Sequence, residues 1–255
     1  MQASNFEIQN YLEHIGFQGS ACADLNTLTE LMCLQLRKVP FENLDVQAGK
    51  VVSLLPEDIV EKILKRHRGG YCYEVNGLFS MALEALGIEH FYVAARPMFY
   101  EERRPKTHMA IVAKLEEQPW LCDLGFGNYG LRQPISLKDI NTDTRQDHDC
   151  YRVSVQSSGE YLLMARIKGE WVAQYAFDLQ PQEWLDFVPA NFLNSKHPEV
   201  IFVKQLLVIL QTPEGRKILS NRVFKNWVNG KLSERMLQAQ EVSTVLREEF
   251  GLSMA

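Results

Sequence analysis

The sequence predicts an α+β fold in which helices come first, strands follow, and a mixed segment ends the chain. Apolar residues recur at helical spacing up to residue 87 and at alternate positions from 90 to 177. Polar turns separate the alternating stretches, as in an antiparallel sheet or barrel. The changes of period divide the chain into a helical bundle (1–87), an antiparallel, β-barrel-like middle domain (88–190) and a C-terminal α/β domain (191–255).

The helical bundle is predicted to contain four helices. Gly16 and Gly87 follow two of the apolar faces, and glycine is typical of the position just after a helix. Pro56 is favoured at a first helical position. The predicted helices cover residues 6–15, 25–36, 56–64 and 72–86.

The rest of the chain is predicted to be mainly strands. In the middle domain the alternating segments are residues 91–95, 108–115, 120–124, 151–155, 161–167 and 171–177. The C-terminal part is predicted to hold a helix over 181–193, strands over 200–210 and 216–228, a turn at 212–215, and a last helix over 234–250 ending at Gly251.

Cys72 is the first candidate for chemistry because it follows Gly69-Gly70, predicted to be a tight turn, and begins a helix. Unpaired backbone N–H groups and the helix dipole favour a negative charge at this position, and therefore the thiolate. A small buried apolar cysteine would explain this position equally well.

A cysteine nucleophile needs a base and a group that orients the base, and two predicted strands offer His108 and Asp123. A turn near Glu117 would pair these strands and set His108 opposite a residue slightly beyond Asp123. Counting residues therefore does not place the two side chains face to face. For them to meet, we expect a bulge, a shifted turn, or strands that are not direct partners.

Glu42 lies between Phe41 and Leu44, an unusual place for a charge. A charge near the core is usually paired. We expect Glu42 to pair with Arg68 and to fix the segment that precedes Cys72.

Bulk properties exclude several functions. The net charge of −5 argues against a nucleic-acid partner held by electrostatics. Neither a basic, apolar leader nor an uninterrupted long apolar run is evident, so we expect no signal peptide and no membrane span. The five cysteines lack the spacing of a disulfide framework, which indicates a reducing, cytoplasmic location. The sequence has no Cys-x-x-Cys or His-x-x-x-His pair, which argues against a metal site.

Four ordered motifs carry a family resemblance. They are Arg-Gly-Gly-x-Cys-x-Glu-x-Asn (68–76), Val-Pro-Phe-Glu-Asn-Leu (39–44), Thr-His-Met (107–109) and Asp-x-Gly-Phe-Gly (123–127). In these four motifs the sequence resembles the arylamine N-acetyltransferases. The resemblance covers the first half of the chain in detail and the second half in outline.

The resemblance implies a cysteine-protease-like core in which Cys72, His108 and Asp123 form a catalytic triad. It implies transfer of an acetyl group from acetyl-CoA to an aromatic amine or hydrazine through an acetyl-cysteine, by ping-pong kinetics. It also implies that no metal or other cofactor is bound, and that acetyl-CoA is the donor substrate.

The resemblance further implies substrate contacts. The loop that follows Asp123 lines the pocket in the family, which makes Phe126 and Gly127 candidate substrate-binding residues. The domain 191–255 would act as a lid that helps to form the coenzyme A cleft. Arg103, Arg104 and Lys106 are candidates for binding the phosphates of coenzyme A, although a charged stretch is more often a solvated turn.

Three alternatives stay open at this stage. The triad would also serve an amide synthase of the same family that acts on carrier-bound acyl chains. It would serve a cysteine hydrolase or transglutaminase-like enzyme, or survive in a binding module without activity. The sequence does not indicate the preferred amine, the acyl donor or the oligomeric state.

Overall fold

A computed structural model describes residues 1–252 of the chain. Its α-helices within that range are α1 (Ile8–Ile15), α2 (Leu25–Lys38), α3 (Leu44–Gln47), α4 (Pro56–Val60), α5 (Cys72–Ala85), α6 (Val188–Lys196), α7 (Ile201–Lys204) and α8 (Val242–Phe250). A π-helical turn, Glu61–Lys65, continues α4, and short 3₁₀ turns, Trp184–Phe187 and Ala239–Glu241, precede α6 and α8.

The strands found in residues 1–252 form two antiparallel sheets. They are β1 (Phe41–Glu42), β2 (His90–Pro97), β3 (His108–Leu115), β4 (Gln118–Cys122), β5 (Ile135–Ser136), β6 (Thr144–Gln146), β7 (Asp149–Val155), β8 (Tyr161–Ile167), β9 (Glu170–Phe177), β10 (Leu207–Thr212), β11 (Gly215–Ser220), β12 (Val223–Val228) and β13 (Lys231–Met236). The larger sheet has the order β5-β4-β3-β2-β9-β8-β7-β6, and the smaller one β1-β10-β11-β12-β13.

The predicted α+β class and the antiparallel middle sheet are confirmed. The larger sheet contains all six predicted strands, two of them, β3 and β8, with the predicted bounds. It is barrel-like rather than closed, because among residues 1–252 its end strands β5 and β6 are not paired with each other. One large apolar core joins the helices to this sheet, with α5 packed against β3.

The boundaries at 87 and 190 stay a prediction, and residues 253–255 of the predicted third domain lie outside the described range. The smaller sheet crosses those boundaries, because its edge strand β1 comes from the helical part and pairs with β10 through Phe41 and Ile209. The smaller sheet is thereby attached to the segment just before Asn43.

Three C-terminal predictions are wrong in part. The predicted strand 200–210 is a helix (α7) in its first half. A short apolar run fits the period of a helix as well as that of a strand, so the pattern could not decide between them. The predicted helix 181–193 begins as a 3₁₀ turn at Trp184. The predicted helix 234–250 begins only at Val242, because residues 231–236 pair with β12 as a strand.

Candidate active site

Cys72 is the first residue of α5, as predicted. The predicted tight turn at Gly69-Gly70 is wrong: this segment is extended and runs beside β1, with a parallel bridge between Phe41 and Gly70. The Gly70 N–H donates to the Pro40 carbonyl at 3.2 Å. A Cβ on Gly69 would lie 1.9 Å from the same Pro40 oxygen, so the close approach of the two backbones requires glycine.

A buried ion network holds this segment from behind. Arg68 donates to Glu42 Oε1 from Nε at 3.0 Å and from Nη2 at 2.7 Å, which confirms the predicted pair. Lys62, which the sequence did not single out, places its Nζ 2.6 Å from both Asp45 and Glu74 and 3.7 Å from Glu42. Glu42 is 1% exposed, so this carboxylate depends on these partners rather than on water.

Two carboxylates of the network also bind backbone N–H groups. Glu42 accepts from the Leu44 N–H at 2.6 Å, and Glu74 accepts from the Tyr71 N–H at 3.0 Å, which caps α5. Burial raises the pKa of Glu74 to about 7, and the charge of Lys62 opposes that rise. The start of the helix that carries Cys72 is therefore fixed by side chains from three segments.

The imidazole of His108 lies against the carboxylate of Asp123. The His108 Nε2 to Asp123 Oδ2 distance is 2.7 Å, and both side chains are buried. Burial acts to lower the pKa of His108, but the charge and hydrogen bond of Asp123, followed by the sulfur of Cys72, outweigh it and raise that pKa to about 10. With Nε2 held by Asp123, Nδ1 is the nitrogen that remains for the thiol.

The pairing of the two strands corrects the expectation of a bulge, a shifted turn or strands that are not direct partners. β3 and β4 are direct partners in regular register, from Leu115 opposite Gln118 to Ile111 opposite Cys122. Continuing that ladder places Asp123 opposite Ala110, two residues from His108 and on the same face. The contact is a diagonal one across the sheet, within reach of an imidazole.

Asp123 is itself held by neighbours that the sequence analysis did not identify. It accepts from the Gly125 N–H at 2.9 Å and from Asn76 Nδ2 at 3.3 Å. Asn76 also accepts from the Leu124 N–H at 2.9 Å. Burial acts to raise the pKa of Asp123, but His108, the Gly125 N–H and the Tyr175 hydroxyl together lower it, which keeps the carboxylate charged.

The loop after Asp123 packs directly on the candidate nucleophile. A Cβ on Gly125 would lie 2.4 Å from the Cα and 2.9 Å from the Cβ of Cys72. No side chain fits there, so Gly125 is the residue that lets the Asp123 loop reach Cys72.

Cys72 and His108 open into a shared cavity of about 310 Å³. Its walls are mainly aromatic and aliphatic, with a few polar groups. They include Phe41, Phe99, Tyr100, Arg104, Thr107, Phe126, Leu193, Asn194, His197, Glu199, Phe202 and Leu207. Cavities of this size and character typically bind one small molecule.

The other predicted site residues fall in different places. Phe126 lines the cavity, and its ring centroid lies 5.1 Å from that of His108. Gly127 lines a separate, much smaller cavity, and its carbonyl accepts from Gln211. Of the three basic candidates, Arg104 lines the main cavity.

Arg103 is exposed and Lys106 pairs with Asp178. Residues 1–252 contain no cluster of three or more His, Cys, Asp or Glu side chains suited to a metal ion. All five cysteines are free. Over the same described range, no helix has the length and apolarity required to cross a bilayer.

Comparisons with known proteins agree on one family. A family model described as N-acetyltransferase matches residues 24–255. The arylamine N-acetyltransferase of Escherichia coli K12 is 31% identical over 252 residues, which are 97% of this chain and 89% of that protein. The protein of that name from Mycolicibacterium smegmatis is 31% identical over 97% of this chain and 92% of its own length.

Solved structures show the same fold. The arylamine N-acetyltransferase from Salmonella typhimurium superposes with a TM-score of 0.92 at 28% identity, covering 96% of this chain and 90% of its own. The Mycobacterium marinum enzyme, solved in complex with CoA, gives a TM-score of 0.89 at 28% identity and covers 96% and 92% of the two chains.

Proposed function

The chain belongs to the arylamine N-acetyltransferase family, and we propose that it transfers an acetyl group from acetyl-CoA to an aromatic amine by way of acetyl-Cys72. The observation that carries this proposal is the buried His108–Asp123 pair, set in the cavity wall beside Cys72. A charged Asp123 stabilises the imidazolium that forms when His108 accepts the thiol proton.

In the first half-reaction, the Cys72 proton passes to His108 and the sulfur attacks the thioester carbonyl. The new C–S bond forms as the bond to the coenzyme A sulfur breaks, and His108 returns the proton to that leaving sulfur. Free coenzyme A departs and the acetyl group remains on Cys72.

In the second half-reaction, the amine nitrogen attacks the acetyl carbonyl of acetyl-Cys72 and gives its proton to His108. The C–S bond breaks, the N-acetyl product leaves, and the thiolate–imidazolium pair is restored. The N–H groups of Cys72 and Tyr73, at the first two positions of α5, have no preceding helical carbonyl to bond. They are the donors we assign to the oxyanion of both steps.

The size of the cavity supports the ping-pong order. A volume of about 310 Å³ holds one small molecule, so donor and acceptor would use the space beside Cys72 in turn. The five free cysteines are compatible with the proposed cytoplasmic location.

The test is to trap the intermediate. Incubation with acetyl-CoA, followed by mass spectrometry of intact protein and peptides, should find one acetyl group on Cys72, and an aromatic amine should remove it. Cys72→Ala should abolish the adduct, whereas Cys33→Ala, which changes a free cysteine outside the cavity lining, should retain it. Sequential kinetics with no acetylated Cys72 would refute the scheme.

The same experiment separates the alternatives. Removal of the acetyl group from Cys72 by water alone would indicate a hydrolase. Acylation of Cys72 only by carrier-bound acyl chains would indicate an amide synthase. A Cys72 that reacts slowly with iodoacetamide at neutral pH would indicate a module without activity.

A further inference from the structure

The polar and apolar sides of helix α6 are reversed relative to an ordinary surface helix. Its buried residues are polar, namely Asn191, Asn194 and Ser195. On the outer side Val188 is 45% and Phe192 is 59% exposed, and these two lie one turn apart. Leu185, in the 3₁₀ turn that leads into α6, is 72% exposed. A surface helix normally turns its apolar stripe toward the core, so this stripe lacks a cover within the described chain.

Hydrogen bonds to the catalytic segment explain why the polar side of α6 faces inward. The Tyr71 hydroxyl donates to the side chain of Asn191 and lies 3.1 Å from Ser195 Oγ. Asn194 Nδ2 donates to the Thr107 carbonyl, just before β3, at 2.9 Å. Because buried polar groups need such partners, these bonds fix the rotation of the helix and keep its apolar residues outside.

A neighbouring segment widens the apolar stripe. Residues 49–55 run antiparallel to α6, since the Gly49 carbonyl accepts from Lys196 at 2.6 Å and the Leu54 carbonyl from Trp184 at 2.9 Å. Two side chains of this segment are exposed as well. The five exposed apolar residues form what we call the α6 face: Val51, Leu55, Leu185, Val188 and Phe192. Exposed apolar groups of this kind, rimmed by polar residues, mark interaction sites.

The two ends of the α6 face carry opposite charges. The basic end has Lys50 and Lys196. The acidic end, beside Trp184 and Leu54, has four carboxylates: Glu57, Asp58, Glu183 and Asp186. Three of them accept from neutral donors, two serine hydroxyls and a backbone N–H. The face is therefore complementary to itself when a second one is turned end to end.

From these observations we propose that the α6 face binds a second copy of this chain about a two-fold axis, with the two α6 helices antiparallel. The basic end of each copy then meets the acidic end of the other, and the apolar stripes cover each other. The four acids outnumber the two lysines, which disfavours an anionic lipid surface as the occupant. This inference concerns association and goes beyond the proposed acetyl transfer.

Sedimentation velocity without substrate tests the association. The α6 face and its charged rim are smaller than the roughly 20 to 30 residues per side of a standard interface, so we expect a reversible dimer with a micromolar Kd. Phe192→Asp and Leu185→Asp should each raise that Kd by at least about 30-fold, the value of an interface anchor. Val155→Asp is the matched control, an exposed apolar residue of β7, and should leave the Kd unchanged.

Mixing two charge-reversed proteins tests the antiparallel arrangement. Lys50→Glu combined with Lys196→Glu makes both ends acidic, so this double variant should not self-associate. Glu183→Lys combined with Asp186→Lys reduces the charge of the acidic end, so this second double variant should dimerise more weakly than the wild type. The mixture should form a heterodimer tighter than either homodimer, a gain that misfolding of a variant cannot produce.

The stability of the folded chain gives a second measurement. A partner that binds only the folded state raises the midpoint of thermal unfolding as protein concentration rises. The wild type and Val155→Asp should show this rise, and Phe192→Asp should not, while urea unfolding of dilute samples verifies that each variant folds.

Three results would overturn the proposal. The first is a wild type that stays monomeric at the highest concentration, including one that floats with phosphatidylcholine vesicles instead. The second is a dimer that survives both Phe192→Asp and Leu185→Asp. The third is a mixture of the charge-reversed proteins that forms no heterodimer.

Discussion

Replacing Gly125 by alanine tests whether the close packing of the Asp123 loop on Cys72 controls reactivity. The added Cβ would lie 2.4 Å from the Cys72 Cα and 2.9 Å from its Cβ. Carbon atoms in contact normally lie about 3.5 to 4.0 Å apart, so the loop or the start of α5 must move by about 1 Å. Neither contacting atom can be relieved by a change of rotamer.

The displacement has two expected costs. Overpacking of this kind typically lowers the free energy of unfolding by about 1 to 3 kcal/mol. A misplacement of about 1 Å between reacting groups can lower the rate by about 100-fold. The movement would also disturb the 2.9 Å hydrogen bond from the Gly125 N–H to Asp123, which helps to hold His108.

Single-turnover acylation with 4-nitrophenyl acetate measures the rate, and urea denaturation measures the stability. Gly87→Ala is the matched control: its φ of +71° makes alanine strained, but a Cβ there meets no atom within 4 Å. The control should lose stability and acylate normally. A folded Gly125→Ala variant that acylates at the wild-type rate would refute the reasoning.

Two further predictions concern charge. Lys62→Met leaves two buried carboxylates, Glu42 and Glu74, and the half-buried Asp45 with one arginine, so the free energy of unfolding measured in urea should fall by about 3 to 5 kcal/mol, whereas the exposed Lys65→Met should change little. Because the folded-state pKa of His108 is about 10 against about 6.5 unfolded, its stabilising contribution is complete below pH 6.5 and is lost as pH rises through 10. Urea unfolding at pH 7 and pH 10 should show this loss in the wild type and a smaller one in Asp123→Asn; equal losses would contradict it.

The start of α5 could be predicted from sequence because its signals are local. An apolar stripe at helical spacing begins just after Cys72, and β3 and β8 are likewise marked by short apolar runs between polar turns. The same local reading misjudged Gly69-Gly70, since glycine serves a tight turn and a close backbone approach equally well. Only the presence of Pro40, from elsewhere in the chain, decides between them.

Residues whose role depends on a distant partner were missed. Nothing in the local sequence distinguishes Lys62 from a solvated charge, but in the fold it is a buried residue of the π-helical turn, and its partners Asp45 and Glu74 come from other segments. Asn76 reaches Asp123 only after α5 and the strand β4 have assembled. At the C-terminus, strand pairing overrides the helical propensity of residues 234–236.

The placement of His108 shows where counting residues stops being informative. Counting from the hairpin correctly put His108 opposite a residue beyond Asp123, yet the inference that a bulge, a shifted turn or indirect pairing was needed was wrong. Side chains that are diagonal neighbours on one face of a sheet can still touch when one is long. The length of the imidazole, not the backbone register, closes the gap to 2.7 Å.

The ion network explains why charges, rather than apolar packing, stand behind Cys72. Replacing buried ion pairs by apolar side chains is often neutral or stabilising, so stability alone does not require them. Here Glu42 and Glu74 each accept a backbone N–H, from Leu44 and Tyr71, while Arg68 pairs with the first carboxylate and Lys62 with the second. Apolar side chains cannot accept those N–H groups. The network therefore ties the backbone before Cys72 to β1, and a reactive centre that tolerates little displacement gains a fixed position.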